Sequence, residues 1–247
     1  MHAFCLLVLG GEIRDAALFR RRLDEAGQVL AADSGAGHLL RCGVMPEQVY
    51  GDMDSLTAEE IRQLEEGGCR FVVSPAEKND TDGGIVLKEA LRRGYGDIRI
   101  WGALGGRPDH AYANLMLLQL PQMALAPAAA PESAVGLAAS VETRAVADAA
   151  PEPAPATAPK VTIEDGGLRI FLPRRGEWIE GKAGDGLSLF ALTPEVTGFK
   201  QTGLKYQPEG GRFVSGFPLG VSNEFIQGRV LLDWDAGTLL CMVVEKV

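Results

Sequence analysis

The sequence predicts an α/β domain with a parallel sheet, followed by an all-β domain. Three observations predict this. Apolar runs alternate with helix-type stretches up to about residue 120, an Ala/Pro-rich segment follows, and the chain after Lys160 is β-like and punctuated by Gly and Pro.

In the first part the apolar runs fall at 3–9, 28–32, 48–50, 70–73 and 98–101, and the stretches that suit helices at 15–26, 35–42, 57–66, 82–93 and 109–120. Thr57-Ala58-Glu59-Glu60 reads as a capping box, with Thr57 as N-cap and Glu60 reaching back. In the last helix Ala113, Met116, Leu117 and Leu120 share one apolar face. Strands alternating with helices through short loops give a parallel, Rossmann-like sheet covered by helices, assigned to residues 1–121. Residues 122–160 form an Ala/Pro-rich linker or insertion. Its second half, PEPAPATAP, cannot be helical, whereas 133–149 holds enough Ala for transient helix. Residues 161–247 form the all-β domain, a small sandwich or barrel. VTIE-DGG-LRIFL reads as one hairpin and VLLDW-DAG-TLLCMVV as a second.

The chain has 247 residues and a net charge of -9. An acidic surface argues against nonspecific nucleic-acid binding, which needs Lys and Arg against phosphate. No stretch reaches the roughly 20 apolar residues of a membrane span, so no membrane association is expected. MHAFCLLVLGGE reads as a first strand rather than a signal peptide. Cys5, Cys42, Cys69 and Cys241 form no C-x-x-C pair and read as reduced thiols, and a cytoplasmic protein is expected.

The polar motifs follow the strands. Asp33 follows the second, Gly51-Asp52-Met53-Asp54-Ser55 the third, Asn79-Asp80-Thr81-Asp82 the fourth, and Gly105-Gly106-Arg107-Pro108-Asp109-His110 the fifth. Ligands of open parallel sheets bind beyond the carboxyl ends of the strands. Asp after a strand is also a common cap or turn residue: Asp80 or Thr81 suits the start of the next helix, and Ser34 the start at Gly35. Four successive loops carrying acidic groups favour a functional rim. In an extended segment Asp52 and Asp54 point together and Met53 points inward. Paired carboxylates repel unless a cation lies between them, and magnesium is the fitting guest. Gly10-Gly11 and Ser34-Gly35-Ala36-Gly37 would let backbone approach phosphate. No G-x-x-x-x-G-K-[ST] occurs, which excludes a P-loop. The Arg107 fork would hold a phosphate or pair with Asp109. His110 and Asn114 share a helix face, while His2 and His38 have no partner by spacing.

Taken in order, GDMDSL (51–56), NDTDGGIVLKEAL (79–91), IWGALGGRPDHAYANLMLL (100–118), TGLKYQ (202–207) and GVSNEF (220–225) resemble the thiamine pyrophosphokinase family. The resemblance implies an α/β domain for ATP, a β-sandwich for thiamine, and a homodimer with its active site at the subunit interface. It implies transfer of the β,γ-diphosphate of ATP to the thiamine hydroxyl, giving thiamine diphosphate and AMP. On the matching positions, Asp52, Asp54 and Asp82 would be catalytic and would hold Mg2+. Asp33, Ser34, Gly35, Asp80, Thr81, Arg107, Asp109 and His110 would bind the nucleotide. Tyr206, Ser222 and Asn223 would bind thiamine. The family usually shows Asp-Gly-Gly-Ala after the second strand, where this chain has Asp33-Ser34-Gly35-Ala36; the change is tolerable if that position needs no positive φ. Tyr206 also reads as a sandwich-core residue, as do Trp178 and Trp234. The alternatives to this function are a pyrophosphokinase for another alcohol, such as hydroxymethyldihydropterin, and a noncatalytic nucleotide- or thiamine-binding module.

Overall fold

The computed structural model describes residues 4–73, 80–125 and 158–246. The chain divides into two compact units, Met1–Val161 and Thr162–Val247.

The first unit alternates as the apolar pattern requires: β1 Cys5–Val8, α1 Ala16–Glu25, β2 Gln28–Ala32, α2 Gly35–Arg41, β3 Gln48–Gly51, α3 Ala58–Glu66, β4 Arg70–Val73, α4 Asp82–Arg92, β5 Asp97–Trp101, α5 Pro108–Leu117 and α6 Leu120–Leu125. The strands lie in the order β5-β1-β2-β3-β4, and the pairs are parallel. The order reverses beside β1, so the carboxyl ends of the strands open onto a topological switch point. All four residues of β1 are buried. Leu6 and Val8 join Phe19, Ala36, Leu39, Val49 and Leu64 in one core around the fully buried Trp101.

Local chemistry sets the helix starts. Asp15 accepts from the Leu18 amide at 2.8 Å. The Thr57–Glu60 capping box forms in both directions. Thr81 caps α4 by accepting from the Gly84 amide at 3.1 Å. The last helix differs from the expected 109–120: α5 stops at Leu117 and α6 restarts at Leu120. Pro121 explains the break, since proline lacks an N–H and is accommodated only in a first helical turn. The linker expected at 122–160, with its transient helix at 133–149, lies outside the described residues except at its ends.

The second unit is antiparallel. Its strands are β6 Lys160–Asp165, β7 Leu168–Phe171, β8 Glu177–Glu180, β9 Gly186–Ala191, β10 Glu195–Val196, β11 Lys200–Thr202, β12 Phe213–Val214, β13 Gly220–Glu224, β14 Arg229–Asp233 and β15 Leu239–Val244. One layer runs β6-β7-β15-β9-β13, a second runs β11-β14-β8, and β10 pairs with β12. Phe171, Leu189 and Cys241 from the first layer pack with Ile179, Val230 and Leu232 from the second in a single core.

The β6–β7 hairpin forms as expected. The second expected hairpin does not. β14 pairs with β8 and β11, whereas β15 pairs with β7 and β9, so the DAG turn arches from one layer to the other. Thr197 takes up the turn's backbone groups: Asp235 N–H donates to its carbonyl at 2.8 Å, and its own N–H donates to the Ala236 carbonyl at 3.1 Å. Both strands can then bury an apolar face from opposite sides of one core.

Candidate active site

Asp33 and the Asp52–Asp54 loop meet because their strands are neighbours. The Asp33 amide donates to the Tyr50 carbonyl at 2.8 Å, carrying the β2–β3 pairing one step past the strand end. Asp33 then turns at φ 51, Gly51 at φ 138 and Met53 at φ 65. The loop is therefore not the extended segment expected from sequence. Asp52 and Asp54 converge instead through a turn closed by the Asp54 amide donating to Asp52 Oδ1 at 3.2 Å. Met53 does face the core. One carboxylate oxygen from each of Asp33, Asp52 and Asp54 lies within 4.8 Å of the others. Among the described residues, the non-glycine positions with positive φ are Asp33, Met53 and Ser222. Each is, or adjoins, a site residue expected from sequence, and such backbone strain concentrates at functional sites.

Asp33 Oδ1 is buried without a hydrogen-bond partner. Burial pushes its carboxyl above the usual range, the Ser55 hydroxyl pulls it partway back, and the charges of Asp82, Asp54 and Asp52 push it up again. Asp82 reaches this group across Gly51, where an added Cβ would lie 3.2 Å from Asp82 Oδ1 and 3.4 Å from Asp33 Cβ. An orphaned carboxylate oxygen facing three further acids suits a hard divalent cation, which takes oxygen ligands and relieves like-charge repulsion. The structure brings together Asp33, Asp52 and Asp54, with Asp82 beside Asp33. Asp33, given only a supporting part by the sequence, is a full member of the cluster.

The neighbouring residues start helices. Ser34 has φ -59 and makes no side-chain cap, so that position needs no glycine and the departure from Asp-Gly-Gly-Ala is accommodated. Gly35 is required for a different reason than phosphate approach: a Cβ there would collide with the Val8 carbonyl, so its absence seats α2 against β1. Asp80 accepts from the Thr81 amide at 3.0 Å and from Lys88 Nζ at 2.5 Å. With Thr81 as cap, it fixes the start of α4 and so the place of Asp82. Asn79 of the same motif lies outside the described residues.

Beyond β5, Arg107 forks onto Asp109, with Nε to Oδ1 at 3.2 Å and Nη2 to Oδ2 at 2.6 Å. Both side chains are exposed. The guanidinium holds the Asp109 carboxyl down at about 2. The His110 amide donates to Asp109 Oδ1 at 3.0 Å, while its side chain is exposed. Sequence spacing pointed to the His110–Asn114 face, and the positioning contact belongs to Asn114. Its Nδ2 donates to the Ala103 carbonyl at 2.8 Å, and a Cβ on Gly83 would lie 2.9 Å from its Oδ1. His38, which spacing left without a partner, bridges the Gly11 carbonyl at 2.8 Å and Arg41 at 2.7 Å.

In the second unit Tyr206 is 57% exposed, so it is no core residue. Asn223 clamps its backbone: Oδ1 accepts from the Tyr206 amide at 3.0 Å and Nδ2 donates to its carbonyl at 2.7 Å. Ser222, at φ 61, donates its amide to Ser188 Oγ at 3.1 Å. Lys205 Nζ lies 5.5 Å from the centre of the Tyr206 ring. Trp234 is buried in the core, whereas Trp178 lies at the surface beneath Arg229.

Residues 19–125 match the thiamin pyrophosphokinase catalytic domain, and residues 173–239 match the thiamin pyrophosphokinase vitamin B1 binding domain. The chain is 25% identical over 217 residues to the thiamine pyrophosphokinase of Bacillus subtilis (strain 168), an alignment covering 88% of this chain and 87% of that protein. The crystal structure of the thiamine pyrophosphokinase from Bacillus subtilis has the same fold, with a TM-score of 0.75, 23% identity, and coverage of 98% of this chain and 99% of that one. The fold also matches thiamin pyrophosphokinase from Candida albicans, with a TM-score of 0.72, 14% identity and coverage of 98% and 90%. With both domain signatures in order over most of its length, the chain belongs to the thiamin pyrophosphokinase family.

Proposed function

We propose that the chain transfers the β,γ-diphosphate of ATP to the hydroxyl of thiamine, producing thiamine diphosphate and AMP. The observation that carries this reading is the set of carboxylates from Asp33, Asp52 and Asp54, gathered within 4.8 Å at the ends of neighbouring parallel strands. These residues, with Asp82 alongside, would hold magnesium, which when bound neutralises charge on the polyphosphate and on leaving AMP. Arg107 offers a fork matched to a phosphate, for which it exchanges Asp109. In the second unit the exposed Tyr206 ring offers a flat face to the cationic thiamine, at the backbone position that Asn223 fixes. An aspartate of the cluster takes the proton of the attacking hydroxyl.

Phe217, Leu219 and Val221, exposed on and beside the edge strand β13, support the expected homodimer. The four free thiols are in keeping with a cytoplasmic location. No helix among the described residues is long and apolar enough to cross a membrane. The test is product analysis with ATP, Mg2+ and thiamine. AMP and thiamine diphosphate should appear in equal amounts, and hydroxymethyldihydropterin should not replace thiamine. ADP as product, or no turnover, would overturn the proposal.

A further inference from the structure

We infer that His38 is a positioning residue for the acidic site: its imidazole ties the loop after β1 to α2 and, through Arg41 and Glu60, to the start of α3. The inference rests on the reaction proposed above.

The direction of each hydrogen bond is fixed by chemistry. An arginine nitrogen can only donate, so the Arg41 Nη2 contact at 2.7 Å makes Nδ1 of His38 the acceptor. The ring proton is then on Nε2, which donates to the Gly11 carbonyl at 2.8 Å. Burial and the adjacent Arg41 charge both favour this neutral ring. Arg41 continues to Glu60 Oε1 at 3.6 Å. Glu60 Oε2 accepts from the Thr57 amide and hydroxyl, each at 2.9 Å.

The chain of contacts reaches the loops that carry Asp33, Asp52–Asp54 and Arg107. His38 sits on the helix that begins two residues after Asp33. Thr57 caps the helix that follows the Asp52–Asp54 turn. Gly11 donates to the Gly102 carbonyl at 2.8 Å and Glu12 to that of Leu104 at 3.2 Å, which anchors the loop leading to Arg107. Gly10 packs so closely on Ser34 that a Cβ would collide with its hydroxyl. The Arg41 and Glu60 side chains are 61% and 24% exposed, and ion pairs this accessible add little to global stability. What the relay supplies is orientation, as the outer partners of metal-holding carboxylates do in general.

The test compares His38→Ala, His38→Asn and His38→Gln with the parent chain. It measures Mn2+ affinity of the nucleotide-free protein, amide hydrogen exchange at 33–37, and kcat and KM for AMP formation. His38→Ala should weaken Mn2+ binding by about 10-fold, speed exchange at 33–37 and lower kcat, with the thiamine KM unchanged. His38→Gln, whose amide can donate to the Gly11 carbonyl, should recover most of the loss. His38→Asn, which is too short to reach it, should resemble His38→Ala and replaces it should the alanine variant not fold. Parental Mn2+ affinity and kcat in a folded His38→Ala or His38→Asn protein, or a Gln variant no better than Asn, would overturn the inference while leaving the proposed reaction standing. A parent chain that neither binds Mn2+ nor forms AMP would overturn both.

Discussion

Asn223 holds Tyr206 by the backbone on both sides, accepting from its amide at 3.0 Å and donating to its carbonyl at 2.7 Å. A side-chain amide thus stands in for a neighbouring strand while the aromatic side chain stays exposed beside Lys205. Asn223→Ala should raise the thiamine KM by about 10-fold, the effect of losing roughly 1.4 kcal/mol of orientation. Tyr206→Ala should do the same, and the double variant should be no worse than either alone, because both remove one function. Additive losses in KM would contradict this coupling.

Ionised Asp33 costs the folded chain stability. Its carboxyl is raised by burial and by three neighbouring acids, so the folded state holds its proton more tightly than the unfolded chain does. Stability is therefore greatest when Asp33 is protonated and falls as pH rises through its folded pKa, which lies above the ordinary aspartate value. Asp33→Asn removes this charge, and Asn tolerates the left-handed φ of 51 at this position well. In metal-free buffer at neutral pH, its Tm should rise by about 2 °C while activity is lost. A lower Tm would show that the ionised carboxylate stabilises the fold.

Gly51 should tolerate no side chain. At φ 138 an alanine is strained by roughly 1–3 kcal/mol, and its methyl would stand between Asp82 and Asp33. Gly51→Ala should lower stability by that amount in a denaturant titration and depress AMP formation beyond the loss of folded protein. Full activity per folded molecule would contradict the close approach of the two acids.

Arg107 and Asp109 are both exposed, so their pairing should matter to the nucleotide and little to the fold. Arg107→Met should raise the ATP KM by about 10-fold with Tm unchanged, the value of a charged phosphate contact. The Asp109 carboxyl, held at about 2, should return toward the ordinary aspartate value in that variant when its titration is followed by NMR. In the parent, the pair's contribution is present above the unfolded pKa and is lost as pH falls toward 2. An unchanged ATP KM would leave Arg107 a surface residue.

Sequence reading succeeded where the governing physics is local. The Thr57–Glu60 box, the Thr81 cap and the five parallel strands follow from spacing and side-chain type within a few residues. It failed where partners are distant. VLLDW and TLLCMVV look like a hairpin, but Thr197 captures their turn and sends them to different layers. Asp33 was legible as a rim residue for the nucleotide, but not as a member of the Asp52–Asp54 cluster, because that place depends on a positive φ and on β2 lying beside β3. His38 was illegible because its partner is the carbonyl of Gly11, and a carbonyl leaves no trace in residue identity.

The central claim is that carboxylates from successive strand ends act together on a polyphosphate. The most direct measurement is AMP formation from ATP and thiamine by purified Asp54→Asn beside the parent chain, at saturating Mg2+, with circular dichroism recorded on both. The account predicts a folded protein whose turnover falls by about 10³-fold or more, as expected when charge stabilisation at a transferring phosphoryl group is removed. Near-parental turnover by a folded Asp54→Asn protein would contradict it.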